Sequence, residues 1–177
     1  LFRVYGKGMT TAQILLTQAD LDSRQNYLNI RNTLSTLFTM KSVVPVVNEN
    51  DSTATEELRF GDNDTLAAKI AAKANADLLI ILTDVDGLFD KDPREDPTAS
   101  LIREVTQITD EIEALAGGAG SIASTGGMRT KLQAAKIAVA AGVDCIITSG
   151  YRKRVLHQIL AGEAPHTNFR PAKVALS

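Results

Sequence analysis

The run Leu78-Leu79-Ile80-Ile81-Leu82-Thr83 constrains this chain more than any other segment. It is uncharged and apolar without alternation, and Asn and Asp residues flank it. Such a run reads as a strand buried on both faces. A strand of that kind needs helices above and below it.

The rest of the sequence supplies them. Gln13–Thr17 and Ser42–Val47 are further strand candidates, and Pro45 within the second predicts an edge or a bulge. Between them, Arg24–Met40 carries Tyr27, Ile30, Leu34 and Phe38 at helical spacing. Asp64–Asn75 is alanine-rich and predicts a helix. Met128–Ala141 predicts another, closed by Gly142 as its C-cap. Asp144–Ser149 reads as a strand and Arg152–Ala161 as a last helix. This alternation predicts an α/β fold: a three-layer α/β/α sandwich around a mostly parallel sheet. At 177 residues, 1–177 is expected to form a single domain.

Composition narrows the function. The formal net charge is -2, so neither nucleic acid nor an anionic membrane is an expected partner. No apolar run reaches the roughly 18–20 residues that span a bilayer, and with no signal peptide at the start a cytoplasmic protein is expected. Cys145 is the single cysteine, set in an apolar run, and reads as a buried core thiol. Two isolated histidines make a poor transition-metal site, and no protein-bound metal is assigned.

In a parallel α/β sheet, ligands bind at the C-terminal ends of the strands. Four polar motifs fall at strand ends or helix starts. Asn48-Glu49-Asn50-Asp51-Ser52 follows a strand. Asp51 can meet an ammonium group, and the amides of Asn48 and Asn50 can meet a carboxylate. The plain alternative is a polar turn. Phe60-Gly61-Asp62-Asn63-Asp64 precedes the alanine-rich helix. An N-cap explains one of its polar residues but not three in a row. Thr83 and Asp84 end the most apolar strand, where a nucleotide base or ribose could be met, and Asp92-Pro93 marks the loop beyond. The acidic spacing of that loop does not fit a calcium loop, because it follows a strand.

Ser124-Thr125-Gly126-Gly127-Met128-Arg129-Thr130-Lys131 opens a helix. Glycines there let backbone N–H groups face an anion, with the helix dipole favouring negative charge, and Lys131 lies one turn in. The alternative is a glycine-rich linker before an N-cap. The spacing is not that of a P-loop. Together the motifs describe a zwitterion site beside a phosphate cradle, which suits phosphoryl transfer.

The segments VPVVNENDS, FGDND, LTDVDGLFDKDP and STGGMRTKLQAAKIA, in this order, closely resemble the glutamate 5-kinase family of the amino-acid kinase superfamily. The likeness runs from about Gln13 to about Phe169. It implies an ATP- and magnesium-dependent phosphorylation of the L-glutamate side-chain carboxylate to glutamyl 5-phosphate, the first step of proline synthesis. It assigns Asp51, Asn63 and Asn48 to glutamate, with Asp64 organising the phosphate-binding lysines. It assigns Thr83, Asp84 and the segment from Thr125 to Lys131 to the nucleotide. Lys131 is the lysine expected on the transferring phosphoryl group. The resemblance also implies a homo-oligomer and feedback inhibition by proline.

The family's first strand and its lysine-bearing glycine turn have no counterpart here, so the chain is expected to be the C-terminal two-thirds of the kinase domain, without a PUA domain. Two rival functions stay open: a sibling kinase for acetylglutamate, aspartate, carbamate or UMP, and a non-catalytic module that binds glutamate or proline.

Overall fold

The computed structural model describes residues 9–50, 63–117 and 125–172. Strands β1 (Thr10–Leu16) and β2 (Val43–Glu49) pair in parallel, from Thr10 opposite Val43 to Leu16 opposite Glu49. Two helices, α1 (Gln18–Asp22) and α2 (Arg24–Thr39), connect them. The turn into α1 is a capping box, in which the Thr17 backbone N–H donates to Asp20 and the Thr17 hydroxyl accepts from the Asp20 N–H. Ile30 and Leu34, one turn apart on α2, are buried against Leu16 of β1 and Leu66 of α3 (Asn63–Lys73). Among the described residues β2 pairs with β1 alone, and Pro45 stands opposite Ala12 in that pairing.

A second sheet holds four strands in the order β3-β5-β6-β4. Strand β3 (Leu78–Thr83) runs parallel to β5 (Asp144–Ser149), and Thr83 stands opposite Ser149 at their C-terminal ends. Strand β6 (Thr167–Phe169) is antiparallel to β5 and parallel to the two-residue β4 (Glu104–Val105). Among the described residues, three of the four strand pairings across the two sheets are therefore parallel.

Side chains alternate across this sheet, as the strand period demands. Cys145 and Ile147 of β5, with Leu79 and Ile81 of β3, face α3 and α5 (Thr125–Ala140). Ile146, Leu78 and Ile80 face α6 (Val155–Leu160) through Val155 and Ile159. Helices cover both faces of this sheet, which accounts for a β3 without polar alternation. The α3–α5 contact is built from alanines: Ala68, Ala134, Ala135 and Ala138 have no exposed surface. Small side chains let the helix axes come close. Helix α3 also sends Leu66 and Ile70 into the β1–β2 cluster, and so it packs on both sheets.

Some expected boundaries move. The last helix is shorter than predicted, and α5 starts three residues before Met128, so Gly126 and Gly127 lie inside its first turn. The last helix starts at Val155, not Arg152. Arg154 adopts a left-handed conformation with φ 58°, and Arg152 is drawn away to a two-pronged pair with Asp86. The short α1, β4 and β6 and the helix α4 (Asp110–Gly117) were not expected from the sequence.

Candidate functional site

The N-terminal turns of α3 and α5 bring the first pair of functional side chains together. The Lys131 ammonium donates to Asp64 Oδ2 at 2.9 Å, with the two side chains 15% and 23% exposed. Asp64 is in the first turn of α3, and Lys131 is six residues into α5. The alanine contact between the helices sets this distance. The carboxylate neutralises the lysine in a largely enclosed place and fixes its direction, which a partly buried cation requires.

Lys131 also lines a cavity of about 440 Å³ at the C-terminal end of β3. That volume suits a small-molecule ligand. One wall is the loop after β3, with Thr83, Asp84, Leu88 and Phe89. The facing wall is Ala114, Leu115 and Ala116 of α4 with Gly127 and Met128 of α5. The cavity thus joins apolar and charged side chains of the loop to a lysine and to the start of a helix, where an anion is favoured. A shallower cavity shares Asp84 and Phe89 and adds Tyr151 and Arg152 beyond β5.

Asp84 stands between the two cavities. Its carboxylate accepts from the Thr83 hydroxyl at 3.0 Å and from Arg94 Nη2 at 2.8 Å. The Thr83 hydroxyl, the backbone and the Arg94 guanidinium hold it below the usual carboxylate range. Asp84 is therefore an ionised acceptor at neutral pH.

Gly87 shapes the loop. Its φ is +147°, and a Cβ there would lie 2.4 Å from Thr167 Oγ1 and 2.9 Å from the Thr167 backbone N. The buried Thr167 hydroxyl accepts from Leu88 N at 2.8 Å and donates to Ile102 O at 2.6 Å. The short β6, through one threonine, thus anchors both ends of the loop that forms the cavity wall.

The sequence-predicted residues divide. Thr83, Asp84, Gly127, Met128 and Lys131 line one cavity, with Asp64 paired to Lys131 behind it. Asn63 is the exposed first residue of α3. Asn48 is exposed near the end of β2, with its amide directed at Glu49 O at 3.5 Å. Neither lines the cavity. Thr125 and Gly126 open α5, and Thr130 donates to Gly127 O within the helix. Arg129 is exposed, its aliphatic stem close to Gly117. Asp51 lies outside the described residues, as does most of the Phe60–Asp64 motif.

Sequence reasoning missed Phe89, Lys91, Arg94 and the α4 wall. An acidic first turn of Asp110, Glu111 and Glu113 ahead of Ala114-Leu115-Ala116 was the available signal for α4. Among the described residues no three His, Cys, Asp or Glu side chains converge on a metal position. No helix among them is long and apolar enough to cross a membrane.

Residues 3–149 match the amino acid kinase family. The chain belongs to that family. Among amino acid kinase relatives, it is 52% identical over 176 residues to the glutamate 5-kinase of Caldanaerobacter subterraneus, which covers 99% of this chain and 46% of that protein. It is 54% identical over 168 residues to glutamate 5-kinase 1 of Mesorhizobium japonicum, covering 94% of this chain and 44% of that protein. The chain spans about half the length of the curated relatives it matches.

Solved structures with the amino acid kinase fold align as well. The isopentenyl phosphate kinase of T. acidophilum gives a TM-score of 0.62 at 19% identity, over 92% of this chain and 61% of that one. The UMP kinase of Ureaplasma parvum gives 0.58 at 15%, over 92% of this chain and 60% of that one. At such identities the likeness speaks for the fold alone.

Proposed function

We propose that the whole protein containing this chain is a glutamate 5-kinase. It transfers the γ-phosphoryl group of ATP to the side-chain carboxylate of L-glutamate, giving ADP and glutamyl 5-phosphate. The reading rests on one observation above the others: Lys131, paired with Asp64, lines the cavity together with Gly127 and Met128 from the glycine-bearing start of α5. The names of relatives about half identical over nearly all of this chain support the substrate.

In this reading the nucleotide occupies the cavity beyond β3. Thr83 and Asp84 meet its sugar or base, and the first turn of α5 receives its phosphates. Lys131, aimed by Asp64, stabilises the charge that spreads over the transferring phosphoryl oxygens. Asn48, Asp51 and Asn63 hold glutamate. Magnesium arrives with the nucleotide, held mainly by phosphate oxygens and water, as this cation prefers. The Lys131–Asp64 pair and the helix start fit such a ligand, since they supply a cation and donors for phosphate rather than a cage for metal. Placement in the cytoplasm, assembly into a homo-oligomer and inhibition by proline belong to the same proposal.

The test is ADP release by the full-length protein with ATP and magnesium, offered L-glutamate, acetylglutamate, aspartate, carbamate and UMP in turn. Release with L-glutamate alone is expected. Preference for another acceptor would move the protein to a sibling kinase, and nucleotide or amino-acid binding without turnover would favour a sensor.

A further inference from the structure

Arg94 was not among the residues the motifs singled out. Its guanidinium reaches across ten residues of chain to Asp84, and both line the cavity beyond β3. The loop that carries Arg94 does not need this contact to hold its shape. Arg94 N donates to Asp92 Oδ1 at 2.9 Å, closing a turn without the Arg94 side chain. The Lys91 ammonium ties the loop to Asp96 at 3.0 Å and Thr98 at 3.2 Å, and Asp90 Oδ1 accepts from Ser100 N at 2.7 Å.

The Arg94–Asp84 pair is also exposed, at 58% and 56% of the two side chains, and an ion pair so open to water adds little to stability. Asp84 keeps the Thr83 hydroxyl if the arginine leaves. Releasing Arg94 thus costs little. Among the described residues its guanidinium meets Asp84 and no other carboxylate, while a guanidinium has five N–H donors and binds phosphate in a two-pronged fashion. Lys91, the neighbouring cation of the wall, is already held by Asp96 and Thr98.

We propose that Arg94 is a phosphate-binding residue of the nucleotide site, parked on Asp84 until a nucleotide enters the cavity and then transferred to its phosphate oxygens. Asp84, freed on one oxygen, is left to accept from the sugar hydroxyls. This deepens the kinase reading and rests on its placing of the nucleotide in the cavity beyond β3.

The experiment is equilibrium binding of ADP and of adenosine to the full-length protein, comparing wild type with Arg94→Ala and Arg94→Lys. Arg170→Ala, which breaks an exposed pair with Glu104, serves as the control. Loss of a charge-assisted phosphate contact predicts that Arg94→Ala weakens ADP at least about tenfold while adenosine changes less than about twofold. Arg94→Lys recovers part of the loss, because it keeps the charge without the fork. The control leaves both ligands unchanged. Equal weakening of ADP and adenosine would overturn the proposal, since it would mean that Arg94 only steadies Asp84. Unchanged ADP affinity in Arg94→Ala would overturn it too. A wild type that binds neither ligand would overturn the kinase reading itself and this proposal with it.

Discussion

Lys131 of α5 and Asp64 of α3 meet at 2.9 Å, joined across two helices whose contact is made by alanines without exposed surface. The pair explains why an unremarkable alanine stripe matters to chemistry. The helices must approach closely for a first-turn carboxylate to aim a lysine on the neighbouring helix.

Replacing Lys131 with Ala should therefore cost turnover far more than folding. Removing one preorganised cationic donor predicts a loss of about a hundred- to a thousandfold in kcat. Affinity for glutamate should stay within about twofold, because the lysine acts on the phosphoryl group. Steady-state kinetics with each substrate varied checks this, and a loss below about tenfold would remove Lys131 from that role.

Asp51 is assigned to glutamate on the resemblance of its motif. Asp51→Ala is expected to raise the KM for glutamate at least about tenfold, the worth of a charged hydrogen bond, with the KM for ATP little changed. Parallel increases in both would point to damaged folding in place of a substrate contact.

Two glycines of the site predict opposite outcomes. At Gly87, a methyl group would collide with Thr167 on a backbone of φ +147°, so Gly87→Ala should destabilise the fold by roughly 2–4 kcal/mol. At Gly127 a Cβ meets nothing within 4 Å among the described residues, and the residue sits in the first turn of α5. Gly127→Ala should leave stability unchanged or raise it by up to about 1 kcal/mol, through helix propensity. It should nevertheless weaken ADP binding, since the open space over Gly127 belongs to the cavity. Denaturant unfolding and ADP titration of the two variants separate these effects.

Cys145 carries a pH signature. Burial and the nearby Asp64 carboxylate push its thiol from 9.0 up to about 12. Between those values the unfolded chain has lost the proton while the folded chain still holds it. The folded state then binds more protons, so stability falls as pH rises through that window. The full effect is roughly 3–4 kcal/mol by pH 12. Cys145→Ala should flatten this alkaline decline, measured by urea unfolding from pH 8 to 11. The native thiol should also resist alkylation at pH 8 until the protein unfolds.

The fold was legible wherever burial was strong and the element long enough to show its period. The strand Leu78–Thr83 and its partner Asp144–Ser149 stand where their apolar runs place them, and Gly142 closes α5 with φ +82°. The antiparallel β6 was not legible. Three residues, Thr167, Asn168 and Phe169, cannot display a period, and what holds them is a pairing with β5 some twenty residues earlier. The start of α5 was misplaced because Gly126 and Gly127 have poor helix propensity, which packing of the following turns overrides. At the site, glycines and acidic motifs marked Thr83, Asp84, Gly127, Met128 and Lys131, which line one cavity. Arg94 and the α4 wall did not announce themselves, since only the folded loop brings them to Asp84 and Met128.

The most direct test of the kinase reading is to trap its product. A glutamyl acyl phosphate reacts with hydroxylamine to give a stable hydroxamate. The full-length protein, incubated with ATP, magnesium, L-glutamate and hydroxylamine, should form glutamyl hydroxamate in step with ADP, and Lys131→Ala should lower both signals together by about a hundredfold or more. ADP formed without hydroxamate, or hydroxamate formed only with a different carboxylate, would contradict the account.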